Sequence, residues 1–345
     1  MKTLASFSPA IIACLGISYA LASNPAEKRG ISPDFQSRKP AEAAISHPPR
    51  SQAPRTLAFA DPPAEKKGPP AATKSAQEII KEACNRLQGY KSVKAKITER
   101  VTIQDHSFTA AGSYTQGQNN QVLLELQVSL GGNRGSMLEV CDGQILWVRQ
   151  DVIDQVRITR RDVQKILQAA EQSGGRVNRT SLVAEMGMGG LSGLLGGIAT
   201  DMDFSAPTEG EIDTIPAIVL DGKWNQKFLT RFNGGKNAKG PLPAFVPDQV
   251  RILLQKDNLF PRRISYAKKT ASSVPNTPLM VLDLSNIRLN EQLRPDTFRY
   301  NPPATPTPID ETAAYVQAIT QAAEAAKAGP GAAPQAPAKQ PPKGG

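Results

Sequence analysis

Hydrophobic and polar residues change rhythm several times along this chain, and each change marks an element. Ser75-Ala76-Gln77-Glu78 has the spacing of a capping box, in which a hydroxyl and a carboxylate satisfy the free N–H groups of a helix start. Ile79, Ile80, Ala83, Cys84 and Leu87 follow at helical spacing and Gly89 ends the run, so 76–88 is predicted to be an amphipathic helix. Beyond Tyr90 the period falls to two. Val93, Ala95 and Ile97, then Val101 and Ile103, alternate with polar neighbours in one long strand, and Phe108 to Tyr114 reads as its return. Val122, Leu124, Leu126, Val128 and Leu130 give the clearest alternation in the chain. Met137–Val140, the Asp142-Gly143 turn signal and Gln144–Gln150 continue the meander. Val156–Arg160 is a short strand, and Asp162 can cap a helix running to Gln172.

Leu182–Phe204 breaks this rhythm. It holds six glycines and no basic residue, together with Met186, Met188, Leu191, Leu194, Leu195, Ile198 and Met202. Strand patterns resume at Pro216–Lys223, Gln226–Phe232, Gln249–Gln255, Arg262–Lys268 and Leu279–Leu289. About ten or eleven strands and two or three helices result, an α+β composition. An antiparallel sheet of that width tends to curl. Its concave face then needs a cover, and the glycine- and methionine-rich segment is the natural one.

The two ends of the chain follow different rules. Lys2 precedes an apolar stretch, Leu4–Leu21, which ends in Ala20-Leu21-Ala22 before Ser23, so Met1–Ala22 reads as a cleaved secretory signal peptide. Two other readings stay open: an uncleaved anchor, although Ser6, Ser8, Pro9 and Gly16 dilute the stretch, and a lipobox at Ile11-Ile12-Ala13-Cys14 that would lipidate Cys14. Each takes the chain out of the cytoplasm. Residues 23–74 and 304–345 are rich in Pro and Ala with few large apolar side chains, so they are expected to stay extended and disordered, with one short marginal helix at 310–327. The compact domain is expected at 75–303.

Charge and chemistry narrow the function classes. The net charge of +10 is spread along the 345 residues, no Lys/Arg run exceeds two, and aromatic residues are not interleaved with basic ones, so nucleic acid is not an expected partner. His47 lies in the linker, leaving His106 alone in the domain, in an expected turn. One histidine does not support a His-rich metal site or a Ser-His-Asp or Cys-His arrangement. Glycines 187–197 lack the spacing of a phosphate loop. Asp201 and Asp203, or Glu209 and Glu211, sit beside loop signals and read as solvated. A binding protein without cofactor or metal, rather than an enzyme, is expected. Cys84 and Cys141 would remain after signal cleavage, as a disulfide in an oxidising compartment or as two buried thiols.

Three stretches carry a family resemblance. Val140-Cys141-Asp142-Gly143-Gln144-Ile145-Leu146-Trp147-Val148 resembles the Asp-Gly hairpin and aromatic strand of the LolA-like outer-membrane lipoprotein carriers. Asp257–Ile264 is similar to a later hairpin of that family, and Leu284–Pro303, with Asn290, Asp296, Phe298 and Pro302-Pro303, to its closing strand. The resemblance implies a half-open antiparallel β-barrel, closed by helices on its concave side, with an apolar cavity for acyl chains. It implies a monomeric periplasmic carrier or chaperone for lipids or lipoproteins. The alternative on the same fold is an envelope sensor or interaction module that binds a protein partner, envelope membrane proteins included. The cavity residues would be Ile97, Val101, Phe108, Tyr114, Leu124, Leu126, Val128 and Trp147, with Met186, Met188, Leu191, Leu194, Leu195, Ile198 and Met202 as the lid; a core helix or Gly-rich surface loop with ordinary packing is the other reading of that segment.

Overall fold

Helix α1 (Ala76–Gly89) starts where the capping box places it: the Ser75 hydroxyl accepts the Glu78 N–H, and the Glu78 carboxylate accepts the Ser75 N–H at 2.8 Å. In this computed structural model residues 74–328 are described, apart from 104–105, 131–132, 153–154, 176, 178–181, 183–188, 233–241, 244–245 and 270–276. The signal peptide 1–22 with Cys14, the linker up to residue 73, Met186 and Met188, and the chain beyond 328 lie outside the described residues.

A meander follows α1: β1 (Val93–Ile103), β2 (His106–Gln116), β3 (Gln121–Leu130), β4 (Asn133–Asp142), β5 (Ile145–Val152) and β6 (Gln155–Asp162). His106, expected in a turn, opens β2. Then come α2 (Val163–Gln172), α3 (Gly190–Asp201), β7 (Met202–Phe204), β8 (Thr208–Ile212) and β9 (Ile215–Trp224). The chain continues through α4 (Gln226–Phe232), β10 (Gln249–Gln255), β11 (Pro261–Lys268), β12 (Thr277–Leu289), β13 (Ile309–Asp310) and α5 (Thr312–Ala328). All the described strands join one sheet in the order β13-β6-β5-β4-β3-β2-β1-β12-β11-β10-β9-β7, with β8 also paired to β9. The antiparallel β1–β12 pair, with Ile97 opposite Leu284 and Val101 opposite Met280, joins the two halves.

The sheet corrects the expected curled, half-open barrel of ten or eleven strands. Among the described residues it has thirteen strands, its order runs open from β13 to β7, and it is neither closed into a barrel nor strongly curled. It is also mixed, since β13 pairs with β6 in parallel. The physical reason lies in the cover. Helices bury the apolar face directly, so the sheet does not have to wrap on itself to hide it, and very short strands end its path on both sides.

Two further expectations change. Gln226–Phe232, read as a strand, is helix α4. Asn225 Oδ1 accepts the Phe228 N–H at 2.9 Å as a cap, and Phe228 stacks on Trp224 (centroids 3.9 Å apart) and on Phe232 one turn later (5.8 Å). Trp224, Phe228 and Phe232 recur every four residues, a helical repeat that the alternation of a short apolar run masks. The other change is at the C-terminus. Instead of an extended tail with a lone helix, β13 adds to the sheet and α5 docks on α2, with Ile319 buried beside Val163 and Ile166. Arg157 and Arg161 hold Glu311, Arg160 holds Asp310, and the Thr312 hydroxyl accepts the Asp162 N–H at 2.9 Å. An amphipathic face too weak to fold alone is thus stabilised by tertiary packing.

This docking makes a measurable difference. Ile319→Ala should lower unfolding free energy by about 2–4 kcal/mol, the usual cost of truncating a buried aliphatic side chain. Urea denaturation checks it. A neutral or stabilising effect, as alanine's helix propensity would give an undocked helix, would refute the packing.

Candidate apolar binding site

Alternation decides what each strand offers to the helices. On β1 the residues Val93, Ala95, Ile97, Glu99 and Val101 share a face, and the register sets Ile97 beside Gly112, Val101 beside Phe108 and Ala95 beside Tyr114 of β2. The next register step sets Tyr114 beside Leu124, Gly112 beside Leu126 and Ala110 beside Val128 of β3. Ile97, Val101, Phe108, Tyr114, Leu126 and Val128 are buried in one apolar cluster, with Leu124 half-buried against it. These predicted residues therefore come together. Trp147 does not join them: its neighbours in sequence, Leu146 and Val148, face the helices, while Trp147 meets Tyr300 (centroids 5.8 Å) and Arg160 on the opposite face.

The same cluster takes in Ile252, Ile264, Leu282 and Leu284 from the other half of the sheet. The strand patterns contained these residues, but only the β1–β12 pairing shows that they extend the same layer. Helices α1 and α3 cover it. Ile80 and Leu195 are fully buried, and Leu191, Leu194 and Ile198 lie in the same cluster. The segment expected to act as a lid is thus divided: Leu191 to Ile198 are on α3, whereas Met202 is fixed in β7 opposite Trp224.

Helix α3 is an unusual cover. It carries no charge before Asp201, and its N-cap, Gly189, offers no side-chain hydrogen bond. The sheet supplies the missing cap: the Tyr114 hydroxyl accepts the Leu191 N–H at 3.1 Å and donates to Gln116 Oε1 at 2.6 Å. Gly190 makes this possible. Its φ is +52°, and a Cβ there would stand 2.4 Å from both the Tyr114 hydroxyl and Gln116 Oε1. On the helix side, Cys84 Sγ of α1 donates to the Ser192 carbonyl at 3.5 Å, and Gln77 donates to the carbonyls of Ala199 and Met202.

The cysteines sit in different clusters. Cys84 lies in the α1–α3 cluster and Cys141 in a second one with α2 and α5, and both are free thiols. Burial pushes Cys84 up to about 11 and Cys141 to about 12, so neither is a nucleophile at neutral pH.

One acid sits where the two helix covers meet. Glu139 of β4 is paired with Leu124 on one side and Val148 on the other, both only half-buried. Burial raises its carboxyl to about 7, against the opposing pull of Arg161. Sequence reading passed over it, although Met137, Glu139 and Cys141 share one strand face. Among the described residues no group of three or more His, Cys, Asp or Glu could hold a metal ion. No described helix is long and apolar enough to cross a membrane.

Two outcomes test this geometry. Tyr114→Phe should cost about 1–2 kcal/mol, by leaving the Leu191 N–H without its acceptor, and should speed amide exchange at Leu191 more than at Ile80. Glu139 gives a pH signature. Its carboxyl titrates at 4.5 when unperturbed and near 7 when folded, so the folded state keeps its proton longer. Its contribution to stability is fully present below 4.5 and is lost as pH rises through 7. Glu139→Gln cannot ionise, so its stability relative to the parent should rise between those limits. Urea unfolding at both pH values reads this, and a pH-independent difference would contradict it.

No family profile and no curated protein sequence matches this chain. Solved structures do. The lipoprotein LppX of Mycobacterium tuberculosis is similar at 12% identity over 63% of this chain and 96% of its own, with a TM-score of 0.33. The Pseudomonas aeruginosa MucA/MucB complex is similar at 12% identity over 66% of this chain and 61% of the matched one, with a TM-score of 0.30. A LolA superfamily protein from Nitrosomonas europaea is similar at 13% identity over 66% of this chain and 99% of its own, with a TM-score of 0.22.

Proposed function

We propose that this chain is an exported, non-catalytic carrier that shelters the acyl chains of a lipid or lipoprotein between its sheet and helices α1 and α3. The observation that carries this reading is the pairing of an apolar layer with a charge-free, glycine-rich helical cover. Helix α3 is free of charge up to Asp201, glycine-rich and capped through Tyr114. Each interior glycine lowers helix stability by about 1 kcal/mol relative to alanine, so the helix depends on its contacts with the layer beneath. An acyl chain replacing those contacts would gain about 0.8 kcal/mol per buried methylene. The half-buried Leu124 and Val148, on either side of Glu139, are where such a chain would begin to enter. The signal peptide supplies the route out of the cytoplasm and the Pro/Ala-rich linker the reach from any anchor.

Native mass spectrometry of the protein purified from its own envelope is the direct test. Co-purifying acylated species support the carrier. An empty layer with a stable protein partner would replace it with the interaction-module reading. Leu126→Arg, which buries a charge in the layer, should abolish acyl retention while leaving partner binding mostly intact. A crosslink separates lost binding from lost folding. Ser192→Cys stands opposite the native Cys84, and oxidation would tie α3 to α1. Uptake of a fluorescent fatty acid should fall in the oxidised form and return on reduction. Unchanged uptake with the crosslink verified by mass would sink the role given to α3.

A further inference from the structure

A concavity lies apart from the apolar layer, at one end of the strands. It is a cleft of about 470 Å³ lined by Asn119 and Asn120 of the β2–β3 turn, Gln121 at the start of β3, Asp142 at the end of β4, Gly143 and Gln144 of the β4–β5 turn, and Gln164 at the start of α2. That volume falls within the range of small-molecule sites, roughly 300–1,000 Å³, but such sites are mostly apolar. Here no side chain of the lining is apolar and none is cationic. Five of the seven lining residues are neutral amides, each with both donors and an acceptor.

The walls are tied together. Gln121 pairs with Asp142 across β3 and β4, the Val163 N–H reaches the Gln144 carbonyl at 2.8 Å, and Gln164 Nε2 donates to the Gly143 carbonyl at 3.1 Å. Gly143, at φ +98°, lets the two turns touch, since a Cβ there would stand 2.6 Å from the Asn119 carbonyl. Asp142 Oδ1 accepts the N–H groups of Gln144 and Ile145, which fixes the carboxylate in place. The β2–β3 turn has φ of +55° at Asn119 and +64° at Asn120. Glycine is the residue that suits the second of these positions best, yet this chain keeps an amide there, at the cleft.

We propose that this cleft binds a neutral saccharide through its amide-rich rim. Hydroxyls that both donate and accept match amides that do the same. The absence of a cation in the lining removes the usual partner of phosphates and carboxylates, and Asp142 repels them. With no apolar residue in the lining, hydrogen bonds are the main source of affinity, so binding is expected to be weak and specific to hydroxyl-rich ligands.

The sugar could arrive as a free oligosaccharide or as the head group of a glycolipid, and the test has one arm for each. NMR titration of the full chain with maltotetraose, cellotetraose and the N-acetylglucosamine tetramer should give saturable shifts at residues 119–121, 142–144 and 164 with at least one of them. A galacturonate trimer should bind more weakly, because of Asp142. The second arm measures co-sedimentation with phosphatidylcholine vesicles, with and without monogalactosyl diacylglycerol. Asn120→Gly deletes one amide while favouring the turn, so thermal stability should hold or rise while affinity falls about fivefold, the loss expected for one hydrogen bond. Gln144→Ala should do the same to affinity. Binding in either arm that both variants weaken supports the proposal and names the source. No saturable binding in either arm, or binding that neither variant changes, overturns it. None of these changes touches the apolar layer, so the result is independent of the carrier reading.

Discussion

Burying one face of a thirteen-stranded sheet is the constraint on which the rest of this structure depends. Most of the buried apolar residues of the long strands turn to one side, so pairing the strands creates a wide apolar surface that water disfavours. Closing the sheet into a barrel would have buried that surface from within. An open sheet must instead be covered from outside, and the helices do this in two groups. Helices α1 and α3 lie over one cluster and α2 and α5 over another.

Covering a face in two pieces leaves a line where the pieces meet, and that line is chemically distinct. Glu139 occupies it, flanked by half-buried Leu124 and Val148, with Arg161 opposing the cost of its burial. Tyr114 crosses from the sheet to the start of α3, so one hydroxyl links the floor of the layer to its cover. A helix rich in glycine and without its own side-chain cap holds its place mainly through contacts with the layer. The carrier reading rests on the equivalence between those contacts and the ones an acyl chain would make.

The opposite face follows other rules. It carries Trp147, which stacks with Tyr300 from the segment leading to β13. From there the chain rounds the edge of β6, held by Arg157, Arg160 and Arg161, and α5 joins the helix side. The C-terminal residues thus cover part of the outer face and complete the second helix pair. At the end of the strands the turns gather amides instead of apolar side chains, which gives the polar cleft a character unlike that of the layer.

The sequence by itself determined the local elements. The capping box at Ser75, the alternation from Val122 to Leu130 and the turn at Asp142-Gly143 are encoded by neighbours a few residues apart. Alternation also grouped Ile97, Val101, Tyr114 and Leu126, because adjacent hairpin strands transmit their register directly. Only the tertiary structure decided the rest. Alternation states that a strand has two faces, but not which distant strand pairs with it, so the β1–β12 pair and the open edge-to-edge order were not legible. The face of Trp147 depended on the register of β5 against β4 and β6. Gln226–Phe232 became a helix through the Asn225 cap and a stack that begins at Trp224. Whether α5 was a marginal helix or a docked one depended on α2, far away in sequence, because the free energy that orders it comes from burying Ile319.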